Sequence, residues 1–319
     1  MGKKILILGN GFDLDLGLKS RYRDFMGSDT WKGVDGREYI LTCNLLRYLE
    51  EKNNIETWFD AETELLNYAL EITEGTYGSP QTNDREGHKF FQTMLKQYLS
   101  KEQDNFILNN SSVAVLLMKA VTENGFFDEL YTFNYTDVNK VLSKAGRYAT
   151  MKITYMHGSL GKNDNIILGI ETDKPIHKDY QFLFKTNSRF YKYNSLIESM
   201  EKADEIIFFG HSINGMDFSY FKDFFMKQTG MSGEVNRKYI TIFTYDEDSD
   251  EQIRNNFRES GVNLRDLMQR NNLTFIETKL LNHGDGTEQS KWNELLEHLK
   301  KDSKDTERRN IKRIENMLL

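Results

Sequence analysis

Groups of polar residues and glycines follow four short apolar runs in the sequence, in the places where an open α/β sheet carries its chemistry. The four groups are Gly9-Asn10-Gly11, Asn134-Tyr135, His157-Gly158 and Gly210-His211-Ser212. An acid follows the first group, Asp13, and another follows the last, Asp217. Glycine lets the backbone approach a ligand, and a helix start offers unpaired N–H groups to a phosphate. The residue types therefore fit a nucleotide site, although Gly9-Asn10-Gly11 taken alone fits equally well a tight strand-to-helix turn that binds no ligand.

Three of these side chains suit the cleavage of an N-glycosidic bond in a nicotinamide nucleotide. Such cleavage develops positive charge on the ribose, which carboxamide and carboxylate oxygens stabilise while a base activates water or a ribose hydroxyl. Asn134 and Asp13 supply the oxygens, and His157, with an ordinary pKa near 6.5, supplies a base that is neutral at cellular pH. Singly, Asn134 also fits a turn cap and His157 a core histidine. Convergence at one sheet edge favours the catalytic interpretation.

The apolar runs predict the strands that must position these residues. They cover residues 5–8, 126–135, 152–156, 205–209, 239–245 and 273–276, with helical patterns between them, and Asp246 follows the fifth of these runs. A further short run at residues 166–169 predicts another strand or a turn. Strands that alternate with helices favour an α/β protein with a mainly parallel, doubly wound, Rossmann-like sheet. We expect one α/β domain over residues 1–299.

Apolar residues recur at helical spacing over residues 38–124, which predicts a mostly helical cap inserted after the first strand and helix. Within it, Trp58 and Glu62 are four residues apart and share a predicted helix face. Asp60, Glu62 and Glu64 could hold magnesium in a nuclease, but acids at helical spacing are more often a solvated face.

Composition narrows the class of protein. The formal net charge is −7, from 42 Lys and Arg against 49 Asp and Glu, so no overall field attracts nucleic acid. The single cysteine, Cys43, cannot build a zinc module and suits a reducing compartment. No apolar run approaches the length of a membrane span. We expect a cytoplasmic protein with no structural zinc.

The C-terminal residues 300–319 are rich in charge, with an apolar stripe at Ile311, Ile314 and Leu318. A helix covers such a stripe only by packing it against something. We expect this helix to dock on the body of the chain or to join two copies in a homo-oligomer.

Five segments together resemble, in order, the AbiH family of bacterial phage abortive-infection proteins. They are Ile-Leu-Gly-Asn-Gly-Phe-Asp-Leu-Asp-Leu-Gly-Leu-Lys-Ser-Arg-Tyr, Trp-Phe-Asp-Ala-Glu, Thr-Phe-Asn-Tyr-Thr, His-Gly and Gly-His-Ser-x-x-x-x-Asp. The resemblance spans roughly residues 5–285 and is most distinctive in the first segment. It implies a role in defence against phage.

The same ordered set is similar in layout to the NAD-binding fold of the sirtuins. That likeness implies NAD or a related nucleotide as the ligand, with Gly9, Gly11 and Ser212 around its phosphates, Asn134 orienting a water or the ribose, and His157 as general base. The remaining residues expected to contact the nucleotide are Asn10, Tyr135, Gly210, His211, Asp217 and Asp246. The sirtuin zinc module is absent, and Asp13 replaces a small residue, so protein deacylation is not expected.

Two functional hypotheses follow. In the first, the protein hydrolyses NAD or a related nucleotide and so depletes the infected cell. In the second, it is a non-catalytic nucleotide-binding sensor or scaffold that passes a signal to a partner. Nicotinamide release from NAD discriminates between them.

Overall fold

Six apolar runs form one parallel sheet, as the sequence predicts, in a computed structural model that describes residues 3–33, 40–55, 60–124, 127–149, 151–161, 164–191, 195–213, 215–230, 233 and 235–299. The strands are β1 Lys3–Leu8, β2 Glu129–Thr132, β3 Lys152–Tyr155, β4 Ala203–Phe209, β5 Tyr239–Thr244 and β6 Asn272–Glu277. All neighbouring strands pair in parallel. Trp58 and the tail 300–319 lie outside the described residues.

The strand order is β3-β2-β1-β4-β5-β6, which is the order of a Rossmann-like sheet. The chain winds outward from β1 through β2 to β3, and it then returns to place β4 on the other side of β1. In sheets of this order, the crevice beyond the carboxyl ends of the two central strands is where ligands bind. The predicted α/β fold is thus confirmed, with β1 and β4 at the switch point.

Helices cover both faces of the sheet because alternate residues of each strand point to opposite faces. Ile5 and Ile7 of β1 pack in one core, and Leu6 and Leu8 pack in the other. The α-helices are α1 Asn10–Leu16, α2 Tyr22–Gly27, α3 Asp29–Lys32, α4 Asn44–Ile55, α5 Ala61–Glu74, α6 Asp84–Asn105, α7 Val113–Asn124, α8 Val138–Ser143, α9 Leu196–Lys202, α10 Lys222–Gln228, α11 Glu247–Glu259, α12 Leu264–Arg270, α13 Thr278–Asn282 and α14 at 286–299.

The helices α2 to α6 share a third core, and we call them the cap helices. Phe25 of α2 and Trp31 of α3 are part of this core, whereas Val113 and Met118 of α7 pack on the sheet. The range 38–124 expected for the insertion therefore cuts across two cores, because helical spacing shows which face of a helix is apolar but not what covers it.

A fully buried carboxylate, Asp84, holds the cap helices together. It accepts hydrogen bonds from the hydroxyl of Tyr68 at 2.7 Å, from the hydroxyl of Tyr180 and from the backbone N–H of Leu45 at 3.1 Å. These donors belong to α5, to the 3-10 helix Lys178–Leu183 and to α4. Cys43 is buried beside it, and burial raises the pKa of its thiol to about 11.

None of the described helices is both long enough and apolar enough to cross a membrane.

Two glycine turns contact each other where β1 and β4 end. The N–H of Gly11 donates to the carbonyl of Gly210 at 2.8 Å, and Gly210 has a left-handed φ of 63°. A Cβ on Gly11 would lie 2.6 Å from the Cα of Gly210, and one on Gly9 would lie 2.6 Å from the Cα of His211. Only glycine allows so close an approach of two backbones.

We expect Gly11→Ala to lower the free energy of unfolding by about 1–3 kcal/mol or more, because the obstacle is backbone that cannot swing away. Gly27→Ala is the matched control, since a Cβ there would meet nothing within 4 Å. The control should be neutral or stabilising by up to ~1 kcal/mol. Urea unfolding of both variants measures the difference, and equal stabilities would show that the two turns do not pack closely.

Candidate functional site

Five buried or half-buried ionisable side chains meet beyond the carboxyl edge of the sheet, and we call them the Lys185 cluster. They are Glu62 in the first turn of α5, His157 after β3, Lys185 at the start of the 3-10 helix Lys185–Asn187, His211 after β4, and Asp217 in the 3-10 helix Gly215–Tyr220. The sheet supplies both histidines, the cap helices supply one acid, and irregular segments supply the rest.

The ammonium of Lys185 lies at the centre of the cluster. Its Nζ is 2.8 Å from Oε2 of Glu62, 3.1 Å from Nε2 of His157 and 3.6 Å from Oδ1 of Asp217. The side chain is only 1% exposed. Burial acts to lower the pKa of Lys185, but the charges of Glu62 and Asp217 outweigh it and raise the pKa above its ordinary value. Lys185 therefore stays charged at neutral pH.

His157 is neutral in this arrangement. A lysine ammonium can only donate, so the short contact from Lys185 makes Nε2 of His157 an acceptor. Burial, with the charge of Lys185, lowers the pKa of His157 to about 3, while Asp217 opposes the shift. With this pKa His157 is neutral at cellular pH. It is also a much weaker base than a histidine with the ordinary pKa near 6.5, which is the value expected from the sequence. A weak base is better suited to orienting a group than to removing its proton.

Asp217 is the carboxylate of the cluster that reaches solvent, with a side chain 25% exposed. Burial acts to raise its pKa, but Lys185, His157 and His211 together lower it, so the group is ionised. Its Oδ1 is buried, lies 3.4 Å from Nε2 of His157 and has no hydrogen-bond partner among the described residues. Because Oδ1 is buried against Lys185, a ligand can be held only through the part of the carboxylate side chain that reaches solvent.

His211 offers a second group without a partner. The N–H of Ile213 donates to Nδ1 of His211 at 2.9 Å, so the ring proton is on Nε2 when the ring is neutral. That Nε2 is buried, lies 3.8 Å from Oδ2 of Asp217 and makes no hydrogen bond within the described structure. Burial lowers the pKa of His211 to about 4, against the charge of Asp217.

The backbone at Ile213 is strained to make this contact. Ile213 has a φ of 47°, and a β-branched residue in the left-handed region is an outlier. A conformation of this kind costs of order 1–3 kcal/mol and is typical of functional loops.

Aromatic rings form the walls of the cluster. The ring of Phe133 packs edge-on against both histidines, with centroids 5.3 Å from His157 and 4.4 Å from His211. The hydroxyl of Tyr135 donates to Oε1 of Glu62 at 3.3 Å. Burial raises the pKa of Glu62, while Lys185 opposes the shift. Phe133 and Tyr135, two residues apart in the segment that follows β2, thus line the site from two directions.

Asp13 and Asn134, both expected to be catalytic, form a separate buried contact. Oδ2 of Asp13 accepts from the hydroxyl of Thr136 at 2.8 Å, and the amide of Asn134 donates to the carbonyl of Gly9 at 3.0 Å. Burial raises the pKa of Asp13 to about 7, and hydrogen bonds from Thr136 and Asn134 oppose the shift. These two side chains brace the first glycine turn.

The raised pKa of Asp13 makes stability depend on pH. The carboxyl has its ordinary pKa in the unfolded chain, so the folded state binds a proton that the unfolded state has lost, and stability falls as pH rises from about 4 to about 7. The slope is at most ~1.4 kcal/mol per pH unit. We expect Asp13→Asn to remove this slope in urea unfolding at several pH values. Curves parallel to those of the wild type would contradict the shift.

The other residues expected to bind a nucleotide have varied surroundings. Oδ1 of Asn10 accepts a hydrogen bond from the hydroxyl of Ser20 at 2.5 Å. The N–H of Gly11 donates to the carbonyl of Gly210. Ser212 is exposed, and its carbonyl accepts from Asn256. The carboxylate of Asp246 caps α11 by accepting from the N–H of Ser249 at 3.2 Å. An acid after a strand serves equally well as a helix cap, which the sequence alone does not distinguish.

Glu62, His157 and Asp217 could hold a metal ion, since one donor atom from each lies within 4.8 Å of the others. The ammonium of Lys185 lies 3.6 Å or less from an atom of each of them. The ammonium of Lys185 thus occupies the position among these three side chains where a metal ion would bind. Asp60, Glu62 and Glu64, the acids that could hold magnesium in a nuclease, do not share one partner. Asp60 caps α5, and Glu64 pairs with Lys52.

Lys185 and Glu62 are the residues of the site that sequence reasoning missed. Lys185 lies in an irregular polar segment without periodicity, and no local signal marks it. Glu62 is in the Trp-Phe-Asp-Ala-Glu segment, so its place in that motif was a usable signal, but helical spacing favoured a solvated face.

The strand order, the glycine turns at the switch point and the polar cluster beyond it define a Rossmann-like α/β protein with a candidate ligand site at the carboxyl edge of its sheet.

Within that class, residues 5–239 match the family model described as Bacteriophage abortive infection AbiH. The match covers more than half of the chain, and the protein belongs to this family. A comparison with curated proteins finds no match.

Proposed function

We propose that the protein acts in defence against phage by hydrolysing the N-glycosidic bond of NAD or a related nicotinamide nucleotide at the Lys185 cluster. One observation carries the proposal. Asp217 is an ionised, partly exposed carboxylate that pairs with the ammonium of Lys185 at 3.6 Å and is flanked by two neutral histidines beyond the switch point of a Rossmann-like sheet. The membership of the AbiH family supports the cellular role.

The reaction needs little from the protein besides electrostatics. The bond between ribose C1′ and the pyridine nitrogen breaks, and its electron pair leaves with nicotinamide. Water then forms a bond to C1′ and releases a proton to solvent, so the products are nicotinamide and ADP-ribose. The positive charge that develops on the ribose is stabilised by a nearby carboxylate. In the proposal, this carboxylate is Asp217.

The neighbours of Asp217 have distinct roles in this scheme. Lys185 keeps Asp217 ionised, and the Nε2–H of His211 is free within the described structure to donate to a ribose hydroxyl. His157 orients rather than removes a proton, because its pKa is about 3. In the proposal, Asn134 and Asp13 affect catalysis indirectly, because they hold the first glycine turn in place.

The test incubates the purified full chain with NAD and follows nicotinamide by chromatography, alongside the melting temperature at rising NAD concentration. A ligand that binds the folded state raises stability by RT ln(1 + [L]/Kd). The proposal expects both binding and release of nicotinamide. A protein that neither binds NAD nor releases nicotinamide from it overturns the proposal.

The second candidate is a nucleotide-binding sensor or scaffold without turnover. The observation in its favour is that the N–H of Gly11, which a pyrophosphate would use, is bonded to Gly210, an arrangement that suits a nucleoside or a cyclic signal better than a pyrophosphate. In the same experiment, a rise in melting temperature without nicotinamide release supports this candidate.

A further inference from the structure

A pocket of about 880 Å³ opens between the start of α6 and the 3-10 helices of residues 178–187. Its volume is within the range that holds a cofactor-sized molecule. The wall that it shares with the Lys185 cluster includes Lys185 itself and Ile167, whose carbonyl lies 3.4 Å from the hydroxyl of Tyr135. We call it the α6 pocket.

The lining of the α6 pocket is positively charged at its rim. Arg85, Lys89 and Lys178 are exposed there, and Asp179 is the one acidic residue among the described lining residues. Lys89 pairs with Glu86 at 2.7 Å, whereas neither Arg85 nor Lys178 forms an ion pair with the described part of the chain. The whole chain carries a net charge of −7, so the charge of this rim is opposite in sign to that of the protein as a whole.

Two rings, those of Phe182 and His88, lie beside these cations. The guanidinium carbon of Arg85 is 5.6 Å from the centroid of the half-buried Phe182 ring, and the buried His88 ring lies 5.7 Å from the same centroid. Burial lowers the pKa of His88 to about 4, so this ring is neutral. Aromatic and guanidinium planes are surfaces on which nucleobases stack, while lysine and arginine contact phosphates.

From this combination we infer that the α6 pocket is a second nucleotide site, in which Arg85 and Lys178 hold phosphates and Phe182 supports the base. The residues that would bind the phosphates and the base differ from those of the proposed hydrolysis, although Lys185 lines both sites, and the inference does not depend on that activity. Arg85 and Lys178 can bind phosphate groups, and the ring of Phe182 can stack on a base, so the expected ligand is a phosphorylated nucleoside.

The test measures the affinity of ATP by calorimetry for the wild type and for the double variant Arg85→Ala/Lys178→Ala. Both side chains are exposed, so the variant should fold normally, and its melting temperature checks this. We expect the affinity to fall about 10–100-fold, since each cation loses a charge-assisted contact. Lys174→Ala, which removes an exposed lysine outside the lining, should bind ATP as the wild type does.

Adenosine and inorganic triphosphate are the partial probes, and each should bind more weakly than ATP. The inference is overturned if the wild type does not bind ATP, if the double variant binds it unchanged, or if either partial probe matches it. Phe182→Ala should weaken ATP but not triphosphate. The variant Asp217→Asn should still bind ATP here, so a failure of NAD hydrolysis and a failure of this pocket give different results.

Discussion

Replacing Lys185 by methionine is expected to lower the free energy of unfolding by about 3–5 kcal/mol, because it leaves buried carboxyl groups without their cation. Lys185 is 1% exposed and contacts Glu62 at 2.8 Å and Asp217 at 3.6 Å. Methionine has a similar length and keeps the packing of the stem, so the loss reports the charge. Urea unfolding at pH 7 provides the measurement.

The second variant in this series removes the charge that Lys185 balances. Lys185→Met combined with Glu62→Gln should recover part of the loss, with a coupling energy of about 0.5–3 kcal/mol. Lys174→Met, at an exposed position, should change stability by no more than ~0.5 kcal/mol. A loss in the Lys185→Met protein as small as that of the surface control would show that the ammonium does not hold the cluster.

Replacing Asp217 by asparagine is expected to lower turnover of the proposed substrate by about 10²–10⁴-fold, the usual contribution of a positioned charged group. Asparagine keeps the shape of the side chain but loses the negative charge that faces the ribose. His157→Ala and Asn134→Ala should lower turnover to a similar extent, because the cluster and the glycine turn position Asp217 and the substrate. Nicotinamide release from NAD measures all three.

Asp248→Asn is the matched control for Asp217, since it removes an exposed acid on α11. It should turn over NAD as the wild type does. Full turnover in folded Asp217→Asn protein would exclude Asp217 as the catalytic carboxylate, and full turnover in folded His157→Ala protein would exclude its orienting role. Toxicity in cells that persists in every variant would favour the sensor or scaffold.

The sheet could be predicted from the sequence because its strands are short apolar runs that stop at glycines and polar residues. Both central strands, β1 and β4, are buried on two faces, so their residues Ile5 to Leu8 and Ile206 to Phe209 are continuously apolar. Parallel pairing then brings the residues that follow the strands to one edge. For this reason His157, His211 and Asp217 could be grouped without knowledge of the structure.

The partners of these residues could not be predicted in the same way. Lys185 lies on a segment whose path depends on tertiary contacts, including a parallel bridge between Ile170 and Phe184. The pKa of His157 depends on burial and on that lysine, neither of which is visible in local sequence. Asp13 and Asn134 are expected beside His157 because all three follow strands that end at one sheet edge, and the structure gives Asp13 and Asn134 a separate contact at the first glycine turn.

The central pairing of β1 with β4 also decides when the site can form. Leu8 pairs with Phe209, so about 200 residues separate the two halves of the switch point along the chain. A ribosome adding about 5–20 residues per second needs about 10–40 s to make that length. The strand β2 begins about 120 residues after β1 ends, so β1 first lacks both neighbours and then still lacks β4, and the residues His211 and Asp217 do not yet exist. The nascent chain therefore spends most of its synthesis with an incomplete site and an open strand edge at its centre.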